Sequence, residues 1–300
     1  MLSRVADSLF WMSRYLERGE HTARVLSVQL YLMLERGAGS DERHWERVRK
    51  SLGLEAGKQT AEELATSIVT SIVAARENAR QVREQISSEM WEQLNRLFHA
   101  VKRADPAGDA RDFLRAIQDG AHLFQGITDS TMTHGEGWQF IQAGRYLERA
   151  IALSTLVSVH FREFYPEVAA EVEPLEWIGL LQSCTAFEAY CKAYTADLRP
   201  DRIAEFLVLN GVFPHSIRFS ADALATSLKE IGREAAGRPA SQVERIAGRM
   251  QATLAFGQMD EIMSGGLQGY LDTVRRQCVQ VYGAVYQTYV TYPVEAALGG

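Results

Sequence analysis

Proline is absent from the first 105 residues of this chain, and all seven prolines fall between apolar-periodic segments. Proline costs about 3 kcal/mol inside a helix, so long proline-free segments favour helices separated by breaks. The alternation of apolar and polar residues that is typical of strands is missing. The first segment instead repeats apolar residues every seven positions, in two series: Leu9, Leu16, Ala23 and Leu30, and Val5, Met12, Gly19, Leu26 and Met33. This pattern predicts a long packed helix and an all-α, multi-helix bundle.

The same periodicity and the breaks between segments predict about ten helices. We expect one helical domain over residues 1–300, with related halves at 1–132 and 133–300 that each begin with a long helix. The predicted helices are Val5–Arg36, Glu42–Leu52, Ala61–Ile86, Glu89–Arg103, Ala110–Met132, Glu136–Phe164, Leu175–Thr195, Asp201–Leu209, Ala221–Gly232, Ser241–Phe256 and Leu267–Tyr289.

Charge and cysteine content exclude several classes of protein. The formal net charge is −6, which argues against a nucleic-acid binder because such proteins need a basic face. Three cysteines make neither a disulfide framework nor a four-ligand zinc site, and they fit a reducing cytoplasm. Charged residues interrupt every apolar run near the N-terminus, so we predict no membrane span. A homo-oligomer remains compatible with the sequence.

One pentapeptide occurs twice. Arg-Tyr-Leu-Glu-Arg covers residues 14–18 and again residues 145–149, an offset of 131 positions. In both helices the Arg-x-x-Glu-Arg charges lie away from the apolar seam, beside further apolar residues, so they are candidates for partial burial. Three interpretations remain open: a surface ion pair, a buried structural network, and a site that binds an anion.

The motifs resemble the bacterial alpha-E family, a helical domain of unknown function named for its helices and its Glu-Arg motif. The resemblance is carried by residues 1–11, by both pentapeptides, and by the matches Ala79–Arg83, Trp91–Asn95, Trp177 with Tyr190, and Phe213–Ser216. It implies an all-helical protein whose gene tends to lie near those of ATP-grasp proteins, transglutaminase-like peptidases and sometimes a proteasome-like hydrolase. ATP-grasp proteins join carboxylates to amines. The chain departs from the family pattern at His21 (commonly Asn), Thr155 and His215 (both commonly Arg).

The resemblance therefore implies an interaction or substrate-binding component of a peptide- or amide-forming system, with an ATP-grasp protein as partner and a transglutaminase-like peptidase as a second candidate. An alternative is an enzyme in which Glu17 or Glu148 acts as general base in an arginine-lined pocket. Another alternative is that both motifs are purely structural ion pairs. The candidate anion- or substrate-binding residues are Arg14, Tyr15, Arg18, Arg24, Arg145, Tyr146 and Arg149.

No standard catalytic motif accompanies these charges, and we predict no cofactor and no metal. Residues 53–58 are one residue short of a phosphate-binding loop and follow no strand. A di-iron site would need two Glu-x-x-His pairs, which the sequence does not supply.

Tyr282, Tyr286 and Tyr289 form a stripe that we interpret as the edge of the core, with a partner-binding face as the alternative. The turn around Pro214 is interpreted as either a structural cap or a functional turn.

Overall fold

The computed structural model describes residues 1–36, 42–54, 61–103, 110–165, 173–195, 197–234 and 241–291. These residues form thirteen α-helices and no strand, which confirms the all-α prediction and exceeds the predicted number of helices. The helices are α1 Ser3–Arg36, α2 Glu42–Ser51, α3 Ala61–Gln81, α4 Ser88–Arg103, α5 Ala110–Thr131, α6 Glu136–Phe164, α7 Pro174–Ser183, α8 Phe187–Tyr194, α9 Pro200–Leu209, α10 Ile217–Glu234, α11 Gln242–Ala255, α12 Met259–Gly265 and α13 Leu267–Val285.

Helices α1 and α6 lie side by side at the centre of the bundle. Helices α3 and α5 pack on α1 and are bridged by α4, while α10 and α13 pack on α6 and are bridged by α11. Because α1 and α6 have neighbours on several sides, apolar residues on more than one of their faces are buried. Each fully buried Leu or Phe side chain contributes about 1.5–3 kcal/mol through the area it removes from water.

The two central helices run parallel and approach closely near Gly144. Met1 and Leu9 lie beside Gly137, and Phe10 and Ser13 lie beside Gly144, two turns further along α6. A Cβ atom on Gly144 would clash with the main-chain oxygen of Phe10, so a side chain at this position would force the helices apart. This close approach brings the charged residues of the two pentapeptides within hydrogen-bonding distance.

One helix prediction is wrong in detail, and one observed helix was not predicted. The helix predicted over Leu175–Thr195 is broken between α7 and α8, where Thr185 adopts a left-handed conformation with φ of 51°. Helix α12 was not predicted. It has seven residues and ends where Gly266 adopts a φ of 98°, and such a short element carries too little periodicity to be recognised.

The other differences between the predicted and the observed helices concern where the helices begin and end. Helix α10 begins at Ile217 and not at Ala221, and α13 is followed by a π-helical turn at Tyr286–Val290. Residues 55–58 of the loop that resembles a phosphate-binding motif lie outside the described residues. Among the described helices, none combines the length and the apolar character needed to cross a membrane.

Candidate functional site

The first pentapeptide binds the second through Glu17 and Arg149. The Nε and Nη2 atoms of Arg149 donate to the two carboxylate oxygens of Glu17 at 2.5 and 3.0 Å. Both side chains are almost completely buried, with 2% and 3% of their surface exposed. Arg145 adds a second positive charge, with its Nε 3.7 Å from Glu17. The carboxylate of the first copy is therefore held by both arginines of the second copy.

The reverse contact is made by Glu148. Its carboxylate accepts hydrogen bonds from Nε of Arg14 at 2.8 Å and from Nε of Arg18 at 2.6 Å. With the 131-residue offset, Arg14 corresponds to Arg145 and Arg18 to Arg149, so each glutamate contacts the same pair of positions in the other copy. Each motif thus supplies the carboxylate that binds the arginines of the other motif across the interface between α1 and α6. We call this reciprocal pairing the exchange of charges.

The tyrosines of the pentapeptides support these arginines. The guanidinium carbon of Arg18 lies 5.5 Å from the ring centre of Tyr15, and that of Arg149 lies 5.4 Å from the ring centre of Tyr146. At such distances an aromatic face attracts a cation. The two half-buried tyrosines are therefore part of the charge cluster.

The equivalent arginines of the two motifs, Arg14 and Arg145, have different surroundings. Arg14 is covered by aromatic rings, with its guanidinium carbon 4.4 Å from the ring centre of Trp11 and 4.9 Å from that of Tyr282 on α13. Its counterpart Arg145 has 22% of its side chain exposed and donates from Nη2 to Gln125 at 2.6 Å. Arg145 is the motif arginine that both contacts the buried glutamate and reaches an open groove.

Arg24 extends the cluster along α1. Its guanidinium binds both carboxylate oxygens of Glu20, the main-chain oxygen of Ser183 at the end of α7, and Nδ1 of His21. The equivalent position on α6 is Thr155, whose hydroxyl donates to the carbonyl of Ile151. Arg24 therefore anchors α7 on one side of the cluster, whereas Thr155 supplies no charge at the equivalent position on α6.

Opposing charges determine the protonation of the buried groups. Burial raises the pKa of Glu17, but the guanidinium groups of Arg149, Arg145 and Arg24 outweigh burial and hold the pKa at about 2. Burial and the charge of Arg24 lower the pKa of His21 to about 3. Burial and, to a lesser extent, the positive charge of Arg149 lower the pKa of His215 well below its usual range. At neutral pH Glu17 is ionised and both histidines are neutral.

Positive charge is in excess within this cluster. Five guanidinium groups face three carboxylates, those of Glu17, Glu20 and Glu148; the five belong to Arg14, Arg18, Arg24, Arg145 and Arg149. Two positive charges are therefore not balanced by motif carboxylates. Burial and the neighbouring Arg149 lower the pKa of Arg145, which is consistent with an excess of positive charge around it.

Two spaces adjoin Arg145. A cavity of about 20 Å³ between α1, α5 and α6 is lined by Glu17, Gln125 and Gln142 among others, and it has room for about one water molecule. An open groove of about 710 Å³ runs between α5, α6 and α10. Arg145, Gln125 and Gln142 line both spaces, so the cavity borders on the groove through these side chains.

A family model described as a predicted alpha-helical domain with a conserved ER motif matches residues 1–290. The chain belongs to the Alpha-E family. Each pentapeptide contains the Glu-Arg dipeptide that gives the motif its name, at residues 17–18 and 148–149. In this Alpha-E chain both dipeptides therefore lie in the interface where the two copies exchange charges.

Curated relatives include proteins of Mycobacterium bovis and Mycobacterium tuberculosis, both named only as uncharacterized. Each is 25% identical to this chain over 307 aligned positions, which cover 89% of the chain and 34% of the relative. The Alpha-E chain thus spans about one third of the length of these relatives. No solved structure matches it significantly.

Several site residues of the Alpha-E chain were not expected from its sequence. The groove takes Gln125 and Asp129 from α5, Trp138 from α6 and Asp222 from α10. These residues are isolated in the sequence, and only helix packing brings them together. The main-chain oxygen of Pro214, which accepts from Nη1 of Arg149 at 3.1 Å, also carries no side-chain signal.

The turn around Pro214 and the tyrosine stripe both contact the central helices. Asn210 caps the turn by accepting from the main-chain NH groups of Val212 and Phe213, and α10 begins three residues after Pro214. Tyr282 packs on Phe10 and Tyr289 on Phe140, as expected at the edge of the core, whereas Tyr286 is exposed. Tyr292 lies outside the described residues.

Within the part of the chain that the structure describes, no three His, Cys, Asp or Glu side chains converge as a metal would require. The site itself is built from guanidinium, carboxylate, amide, imidazole and aromatic groups.

Proposed function

We propose that this Alpha-E chain is a helical binding component of an ATP-grasp-associated system that forms amide bonds, and that it does not itself catalyse the bond-forming step. The observation that carries this proposal is the exchange of charges between the motifs. Glu17 and Glu148 are each already bound by two guanidinium groups, whereas Arg145 reaches an open groove. The site therefore offers binding groups and holds its carboxylates in ion pairs.

The geometry supports a binding role over catalysis by Glu17. A general base works best when its pKa lies near the operating pH. A carboxylate with a pKa of about 2 is a weak base, and its two oxygens are directed at Arg149. A substrate would have to displace a buried guanidinium before it could transfer a proton to Glu17.

The partner in this proposal comes from the family resemblance and from the size of the relatives. Alpha-E genes tend to lie near those of ATP-grasp proteins, which activate carboxylates. In the mycobacterial relatives the matching region is about one third of a longer polypeptide. A region that is built into longer chains in its relatives fits a component that works next to other domains. We place this system in the bacterial cytoplasm, with a transglutaminase-like peptidase as a second candidate partner.

Affinity purification followed by reconstitution tests the proposal. The tagged chain is purified from its native cells at modest salt, and an ATP-grasp protein is expected among the bound proteins. The purified ATP-grasp protein is then assayed for ADP release from ATP with a carboxylate and an amine, with and without the Alpha-E chain. We expect faster amide formation with the chain present, and we expect Glu17→Gln to reduce this effect without abolishing it, because Glu17 contacts Arg145.

Two outcomes would contradict the proposal. If no ATP-grasp protein binds the chain, and adding the chain to a purified ATP-grasp protein leaves amide formation unchanged, the partner is wrong. If a folded Glu17→Gln variant abolishes turnover while Arg162→Gln, an exposed control on α6, does not, the chain is an enzyme and not a binding component.

A further inference from the structure

The groove between α5, α6 and α10 has features of a ligand site beyond its size. Its volume of about 710 Å³ lies in the range of known ligand pockets. Its walls combine the aromatic rings of Trp138, Tyr146 and Phe219 with the amide groups of Gln139 and Gln142. Polar side chains make up most of the lining, so the groove suits a ligand that carries charged and hydrogen-bonding groups.

Arg145 is the cation of this groove. Its buried Nε atom lies 3.7 Å from Glu17 and its Nη2 atom donates to Gln125, so a ligand in the groove would meet the Nη1 side of the guanidinium group. Arg145 also belongs to the cluster that holds two more guanidinium groups than carboxylates. A guanidinium with partial exposure and excess positive charge behind it favours an anionic group in the groove.

Two aspartates in the same walls decide what kind of anion fits. Asp129 on α5 and Asp222 on α10 line the groove with Arg145. Asp129 follows Gln125, the residue bound to Arg145, by one helical turn, which is about 6 Å along the axis. Arg218 lies 3.8 Å from Asp222 and offsets its charge, so Asp129 is the aspartate that would repel a phosphate dianion. A ligand with a carboxylate at one end and an amine further along complements Arg145 and Asp129 together.

We infer that this groove binds the carboxylate end of a short peptide, with Arg145 holding the carboxylate and Asp129 accepting the amine. The glutamine amides can both donate to and accept from peptide groups. The inference rests on the binding role proposed above and names its ligand class. It does not depend on the ATP-grasp partner.

Calorimetric titration of the isolated chain tests the inference. The probes are trialanine with a free carboxylate, trialanine amide, N-acetyl trialanine and inorganic phosphate. We expect the free acid to bind at least tenfold more tightly than the amide and more tightly than phosphate. Arg145→Gln should remove the preference for the free acid, and the exposed control Arg162→Gln on the same helix should keep it.

Two further variants keep the test decisive if Arg145→Gln does not fold. Thr226→Glu adds a negative charge on the exposed wall of the groove and leaves the motif ion pairs unchanged. It should therefore weaken the binding of the free acid more than the binding of the amide. Asp129→Asn should abolish the preference for trialanine over its acetylated form.

The inference is overturned if no tripeptide binds, if acid and amide bind equally, or if phosphate binds more tightly than trialanine. Because no partner protein is present, these results leave the association with an ATP-grasp protein untouched. Conversely, failure to purify such a protein would not affect the titrations.

Discussion

Glu17 and Arg149 belong to different copies of one pentapeptide and form a two-point ion pair across the interface of α1 and α6, with N–O distances of 2.5 and 3.0 Å. Glu148 returns the contact to Arg14 and Arg18. Burying such charges costs several kcal/mol per ion, so we expect the pairing to contribute more to the register of the two helices than to net stability. We therefore regard the exchange as what fixes α1 against α6.

The variants Glu17→Gln and Glu148→Gln should both destabilise the chain, but to different extents. Glu17→Gln leaves the fully buried Arg149 without a counter-charge and should lower the free energy of unfolding by about 3–5 kcal/mol. Glu148→Gln should cost less, because only one of its two partners, Arg14, is buried, whereas Arg18 has 42% of its side chain exposed and remains hydrated. Denaturant unfolding of both variants checks the order, and an equal or larger loss for Glu148→Gln would contradict it.

The ion pair of Glu17 should make stability depend on pH in the acid range. Its pKa is about 2 in the folded chain and 4.5 in an ordinary carboxyl group. The folded state therefore binds fewer protons, and the stabilisation present above pH 4.5 is lost as the pH falls towards 2. The difference in unfolding free energy between wild type and Glu17→Gln should shrink over this window. A difference that stays constant from pH 5 to pH 2.5 would contradict the prediction.

His21 should cause a loss of stability that begins at higher pH. Its pKa falls from 6.5 to about 3 on folding, because burial and the charge of Arg24 disfavour its protonated form. Below pH 6.5 the unfolded chain takes up a proton that the folded chain refuses, so stability falls as the pH is lowered towards 3. His21→Asn should lose less stability than wild type between pH 7 and pH 4. The exposed His99→Asn variant serves as the control and should follow the wild type.

Gly144 should resist substitution although alanine favours helices. A methyl group there would clash with the main-chain oxygen of Phe10, so Gly144→Ala should lower stability by about 1–3 kcal/mol. Gly126 on α5 has no atom near its would-be Cβ, and Gly126→Ala should be neutral or stabilising by up to about 1 kcal/mol. Thermal unfolding of the pair measures the contrast, and similar effects of both substitutions would argue against the close approach.

Much of the fold could be predicted because the periodic pattern is local. The spacing of Leu9, Leu16 and Ala23 predicts a helix with a buried seam, and α1 and α6 follow that prediction closely. The break at Thr185 and the short helix α12 were missed, because a single left-handed residue and a seven-residue helix leave no periodic signal.

The site could be predicted only in part. The sequence indicates the charged face of each pentapeptide, but not that the two faces meet, because this depends on the parallel packing at Gly144. It also gives no sign that Arg14 is covered by Tyr282 while Arg145 faces a groove. That difference is set by the helices α13, α5 and α10, whose positions are determined by tertiary packing.

A double-mutant cycle between Glu17 and Arg149 tests the central claim most directly. The free energy of unfolding is measured for wild type, Glu17→Gln, Arg149→Gln and the double variant. Because each single change leaves a buried charge unpaired, we predict that the double variant is more stable than the sum of the single losses implies, by about 1–3 kcal/mol. If the two losses add to within about 0.5 kcal/mol, the residues do not interact across the interface and the exchange of charges is not what holds α1 against α6.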